Sequence, residues 1–120
     1  MRKMKSFNRQ IIPADTMIFQ EGDIAHCAYL LKSGQVDISV YQNGKHILLT
    51  TIKPNQLFGE LALLDNEPRS ATAIAKQASE VIVVKPEDLK RHVDSLDEFM
   101  KYWILYLTDR IRDLSKRVQD

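Results

Sequence analysis

The sequence predicts a mostly β domain, a barrel or jelly roll of short strands, followed by helix at the C-terminal end. Three observations carry this. Short apolar, β-rich runs bounded by turn residues follow one another across positions 11–85. One of them, VDISVY at 36–41, alternates Val36, Ile38 and Val40 with Asp37, Ser39 and Tyr41, the period of a half-buried strand. After Pro86 the period changes to that of a helix. With 120 residues, 44% of them apolar, the chain is long enough for one cored domain rather than two.

Taken in order, residues 1–10 (MRKMKSFNRQ) are basic with no apolar stretch behind them, so they are no signal peptide and read as a tail or a first short helix. Strand candidates are residues 17–19 (MIF), 28–33 (AYLLKS), 36–41, 46–52 (HILLTTI), 70–75 (SATAIA) and 80–85 (EVIVVK). Gly22-Asp23 and Ser33-Gly34 mark turns, and Asn43-Gly44 predicts a tight hairpin, because both residues accept positive φ. Closely spaced short strands of this kind suit a barrel or jelly roll. The helical part covers residues 86–120. Pro86 followed by Glu87 and Asp88 suits a helix start. Ser95 and Glu98 have the spacing of a capping box, which predicts a second helix reaching about Val118, roughly 36 Å long. Along it Met100, Ile104, Leu107, Ile111, Leu114 and Val118 are spaced 4, 3, 4, 3, 4, a heptad seam that Phe99, Trp103 and Tyr106 widen. Such a stripe packs either on the β body or on a second copy. The small size of the body favours a homodimer.

Composition narrows the function. Lys and Arg total 17 against 16 Asp and Glu, a net charge of +1, which argues against direct nucleic-acid binding. A single cysteine, Cys27, allows no internal disulfide and points to a reducing, cytoplasmic compartment. No apolar run reaches the roughly 20 residues that span a bilayer.

Residues 58–75, FGELALLDNEPRSATAIA, hold the chemistry. Gly59 lets a backbone approach a bound group closely. The amides of Glu60, Leu61 and Ala62, at the start of a short helical turn, form a small anion nest. Arg69 adds a planar fork that matches phosphate oxygens. Glu60 repels phosphate but accepts hydrogen bonds from a sugar hydroxyl. Ala62, Ser70, Ala71 and Ala73 leave room. Together these groups describe a sugar-phosphate site. The plain alternative is a structural Glu60–Arg69 ion pair with no ligand, and the residues alone leave both readings open.

FGELALL followed by PRSATA resembles the phosphate-binding cassette of the cyclic-nucleotide-binding domain family, the domain of the catabolite activator protein and the protein kinase A regulatory subunit. Residues 19–23 (FQEGD) and 29–36 (YLLKSGQV) are similar to that family's early strands and glycine turns, in the same order. The resemblance implies an eight-stranded β jelly roll flanked by helices, with cAMP or cGMP bound syn or anti inside the roll. Gly59, Glu60, Leu61, Ala62, Arg69, Ser70 and Ala71 would form the ligand site. Glu60 would take the ribose 2′-hydroxyl, and Arg69, the amides of Leu61 and Ala62, and Ser70 would take the cyclic phosphate. The C-terminal helix would move to lid the base, with Arg110, Arg112 or Ser115 as candidate contacts. Ser70 is compatible with either base, and cAMP is expected ahead of cGMP.

Two positions depart from the family pattern. Asn55 stands where glycine is usual, and asparagine tolerates the left-handed turn. His26 and Cys27 occupy a loop that usually has small or acidic residues, and read as filler. Transcription factors of this family continue into a helix-turn-helix, absent from these 120 residues. The expectation is a free-standing sensor, the alternative a piece of a longer regulator with an unknown downstream partner. Two other functional classes compete. One is a degenerate jelly roll without ligand, serving dimerisation or protein interaction. The other is a cupin-like metal enzyme, which His26, His46 and His92 are too scattered to support. Neither catalysis, a metal nor a cofactor is expected.

Overall fold

The computed structural model describes residues 8–119, with side chains described as far as residue 114. Eight strands and three helices follow the chain: β1 (Asn8–Ile12), β2 (Thr16–Phe19), β3 (Ala28–Ser33), β4 (Val36–Gln42), β5 (Lys45–Ile52), β6 (Leu57–Phe58), α1 (Leu61–Asp65), β7 (Thr72–Ala75), β8 (Ser79–Val84), α2 (Pro86–Asp94) and α3 (Glu98–Gln119). The strands form two four-stranded antiparallel sheets, ordered β1-β8-β3-β6 and β2-β7-β4-β5, so consecutive strands are dealt between two faces as a jelly roll requires. Leu31, Val36, Ile52, Phe58, Ala73 and Val81 meet between the sheets as the buried core.

Turn chemistry sets the register. Asn43 and Gly44 both have positive φ, 54° and 79°, and join β4 to β5 with Gln42 opposite Lys45. Asn55 holds the left-handed conformation expected of it, at φ 73°.

Several expectations need correction. Of residues 1–10, read as a tail or short helix, residues 1–7 lie outside the described residues, and Asn8–Gln10 belong to β1, in which Asn8 to Ile12 pair with Val83 to Ser79. The two-residue β6 was too short to show as a periodic run. The 70–75 run begins as a strand only at Thr72, which leaves Ser70 and Ala71 to the site. In β4 the strict alternation fails. The register shifts between Ile38 and Ser39, and Ser39 is buried beside Val40. Ser95 does not cap α3. It ends α2, its hydroxyl donating to the His92 carbonyl, whereas Asp97 caps α3 by accepting from the Met100 amide at 2.9 Å.

α3 packs against α1 and, more lightly, β4. Thr108 of α3 is buried, and its hydroxyl donates to the Ile104 carbonyl. The heptad seam therefore divides. Met100 and Ile104 are half-buried, Leu107, Ile111 and Leu114 are exposed, and Val118 lies outside the described side chains. Phe99 and Tyr102, 71% and 70% exposed, extend the uncovered apolar surface. No described helix is long and apolar enough to cross a membrane.

Candidate functional site

β6 ends at Phe58 and α1 begins at Leu61, so only Gly59 and Glu60 make the turn between them. Gly59 has φ +78°, and a Cβ built on it would lie 2.7 Å from Arg69 Nη1 and 3.1 Å from Phe19 Cε2. Glycine is thus required twice, by backbone conformation and by the guanidinium against it. The first bonds of α1 run from the Leu63 and Leu64 amides to the Glu60 carbonyl. The amides of Leu61 and Ala62 lie ahead of them, at the donor-rich end of the turn. Asn66, left-handed at φ 58°, stops the helix after five residues, and Pro68 leads the chain into Arg69.

Arg69 is only 5% exposed. Its main chain is clamped to the loop after β2: its amide donates to the Asp23 carbonyl and its carbonyl accepts from the Gly22 amide, both at 2.8 Å. The guanidinium donates from Nη1 to the Gly59 carbonyl and from Nη2 to the Cys27 carbonyl, each at 2.6 Å, and lies over the Phe19 ring with Cζ 4.0 Å from its centre. Nε is buried without a hydrogen-bond partner among the described residues. Burial holds the Arg69 pKa below its ordinary value, opposed by the nearby Tyr29, Cys27 and Asp23. Such a group favours an anion beside it. No Arg69–Glu60 ion pair is among the described ones; the terminal nitrogens bond main-chain carbonyls.

Phe19, Tyr29 and Phe58 stack as a cluster with centroids 5.2 to 6.2 Å apart, forming the floor under the arginine. The Tyr29 phenol is pushed up to about 12, first by burial and then by its hydrogen bond with the Cys27 side chain, with Arg69 acting the other way.

These groups open on a cavity of about 350 Å³, a size that suits a small organic ligand. All seven site residues expected from the sequence line it: Gly59, Glu60, Leu61, Ala62, Arg69, Ser70 and Ala71. The Glu60 side chain makes no capping bond to α1. Ile38, Leu49, Ile52 and Leu57, with Thr50 among them, supply the apolar part of the lining. One cavity thus brings together a cation, helix-start amides, a carboxylate and an apolar lining.

Residues 9–95 match the family described as Cyclic nucleotide-binding domain. This chain belongs to that family. The cyclic nucleotide-binding domain here is 36% identical over 83 residues to the cyclic AMP receptor protein of Thermus thermophilus, covering 68% of this chain and 38% of that protein. It is also 36% identical over 89 residues to a cAMP-dependent protein kinase regulatory subunit of Aspergillus niger, covering 74% of this chain and 21% of that one. Among solved structures it is similar to the cAMP-bound form of the EAL enzyme Bd1971, with a TM-score of 0.86 and 30% identity over 92% of this chain and 30% of that chain. The domain thus spans well under half the length of these relatives.

Other contributors were not read from the sequence. Phe19 supplies the surface under the guanidinium, and Cys27, taken for filler, supplies through its carbonyl one of the two bonds that aim Arg69. A main-chain acceptor leaves no mark on residue type, so nothing in the sequence could reveal Cys27. Of the helix residues proposed to reach the base, Arg110 is exposed and Arg112 pairs with Asp65 instead, while Ser115 lies outside the described side chains. Ile111, placed in the dimer seam, is the α3 residue that lines the cavity.

Proposed function

We propose that the 120 residues act as one regulatory unit, a β-roll over 11–85 with helices over 86–120, that senses a cyclic purine nucleotide, cAMP ahead of cGMP. The observation that carries this is Arg69: a buried cation with a buried, unpartnered Nε at the wall of a cavity sized for a small ligand. Arg69, the amides of Leu61 and Ala62, and Ser70 hold the cyclic phosphate. Glu60 accepts from the ribose 2′-hydroxyl, while Gly59 and Ala71 keep the walls close. The base lies against the apolar lining, in the same cavity as Ser70, Thr50 and Ile111. The domain works by binding, in the cytoplasm, without catalysis, metal or cofactor. It signals by repositioning α3 toward a downstream protein or a second copy. The uncovered apolar side of α3 favours the second copy, through Leu107 and Leu114 with Met100, Ile104, Ile111 and Val118 along the same seam.

An equilibrium titration of the chain with cAMP and with cGMP tests this. The expected Kd for cAMP is micromolar or tighter, about −8 kcal/mol or better. Saturation by neither nucleotide up to millimolar concentration would leave a ligand-free interaction module as the reading.

A further inference from the structure

Among the described ion pairs, three are local or open to solvent: Arg9–Glu80, Asp88–Arg91 and Glu98–Lys101. Pairs of that kind contribute little. The fourth is different. Arg112 of α3 donates to the carboxylate of Asp65, the last residue of α1, through two nitrogens, with Nη2 3.0 Å from Oδ1 and Nε on Oδ2. The two side chains are 16% and 11% exposed, and 47 residues separate them in sequence. The geometry is the bidentate fork, shielded on both sides.

Each partner sits next to a piece of the cavity. Asp65 ends a five-residue helix whose first two residues, Leu61 and Ala62, line the cavity. Asp65 Oδ1 also accepts from the Glu67 amide at 3.1 Å, so the same carboxylate organises the loop that runs through Pro68 to Arg69. Arg112 follows Ile111, the α3 residue at the cavity. One carboxylate therefore ties α3 to both halves of the anion grip.

We propose that Asp65 and Arg112 are positioning residues forming an ionic latch that holds α3, through Ile111, over the cavity and couples ligand occupancy to the helix. The inference rests on the nucleotide-binding reading above. Neither residue need touch the ligand. The latch stabilises the arrangement in which α1, the Arg69 loop and Ile111 face one another, and a ligand contacting all three stabilises the same arrangement. By linkage, whatever factor the latch adds to ligand affinity, the ligand adds to latch closure.

The test uses the full chain, cAMP as probe, and the variants Asp65→Asn, Arg112→Gln and their double mutant. Stopped-flow release of cAMP is followed by Trp103, the single tryptophan and a residue of α3. Each single variant is expected to release cAMP about tenfold faster, and the double variant no faster than either, as one shared interaction requires. Arg112→Lys, which keeps the charge but loses the fork, should fall between. Hydrogen exchange without nucleotide should show α3 amides of residues 98–114 less protected in the variants, while the β-strand amides stay protected. Wild-type release rates in the single variants, or additive effects in the double, overturn the latch while the binding reading stands. A wild-type chain that binds no cAMP overturns the binding reading and the coupling with it. Should Asp65→Asn fail to fold, Arg112→Gln and Arg112→Lys decide alone, because Arg112 takes no part in the Glu67 turn.

Discussion

Replacing Arg69 with alanine separates a ligand-binding arginine from a structural one. In the protein alone, the change removes two short hydrogen bonds, to the Gly59 and Cys27 carbonyls, and the contact with Phe19. Hydrogen bonds from charged groups contribute about 1.5–3 kcal/mol each. Against this, the change also removes a cation whose burial lowers its own pKa, and shielding such a charge costs several kcal/mol. The two sides are of similar size, so stability without ligand should move by only about 1–2 kcal/mol. Binding has no such offset. The phosphate loses its charged partner, at about 2–5 kcal/mol, which is a fall in affinity between about 30-fold and several thousand-fold. Calorimetric titration with cAMP and thermal unfolding without nucleotide, on wild type, Arg69→Ala and Arg69→Lys, read both quantities. Lysine should be intermediate, keeping the charge without the fork. The reasoning is refuted if Arg69→Ala binds cAMP within threefold of wild type, or if it unfolds the domain outright, as a purely structural arginine would.

Glu60→Gln should weaken cAMP by about 1.5–3 kcal/mol, yet leave 2′-deoxy-cAMP nearly unaffected, since the hydroxyl it accepts from is then missing; equal losses for both ligands would remove Glu60 from the sugar contact. Gly59→Ala puts a side chain at φ +78° and 2.7 Å from Arg69 Nη1, so unfolding should show a loss of at least about 1–2 kcal/mol, with cAMP affinity falling as the guanidinium is displaced. Because folding raises the Tyr29 pKa from 10.0 to about 12, the folded state keeps a proton that the unfolded chain releases; stability is whole below pH 10 and declines as pH rises from 10 toward 12, and Tyr29→Phe should flatten that decline in denaturant titrations. Lysine at Leu107 and Leu114 should abolish the proposed self-association in sedimentation while changing the unfolding free energy of the single chain by no more than about 0.5 kcal/mol, because both residues are exposed in it.

How much of this the sequence held varies with the kind of interaction. The strands were legible wherever one face is buried and the run is long enough to show a period, as in β3, β4, β5 and β8. They were illegible in β1, whose burial is almost nil, and in β6, which is two residues long. Turn residues with positive φ, Asn43, Gly44 and Asn55, behaved as their side chains dictate. At α3 a local rule lost to a neighbour. Ser95 and Glu98 have capping-box spacing, but Ser95 is held at the end of α2 by the His92 carbonyl, and Asp97 takes the cap. Around the cavity, candidate groups that act by residue type were readable and groups that act by main chain or long-range packing were not. Arg69 and Glu60 belong to the first group. Cys27, Phe19 and the Asp65–Arg112 pair belong to the second, since contacts so far apart in sequence leave no periodic trace.

On the proposed reading, the position of Arg69 would let the domain respond to its ligand and not merely hold it. A surface arginine would meet phosphate at little cost before or after binding, and would bias nothing. Here the cation is carried by two carbonyls and an aromatic face, with Nε unpartnered and its pKa depressed by burial. A phosphate bound there would relieve that cost, so part of its binding free energy would go into stabilising the arrangement of β6, α1 and the loop after β2 that surrounds the guanidinium. That arrangement includes Asp65, and through it α3. Ligand at a hundredfold excess over Kd stabilises the folded chain by about 2.7 kcal/mol by mass action alone. If the arginine is the coupling point, this gain must be spread unevenly. Hydrogen-exchange protection should rise most in residues 59–65 and in α3, and least in β1, at the opposite edge of the sheet from β6. A uniform rise across the strands would mean that the ligand stabilises the fold as a whole, and that α3 receives no signal from the phosphate.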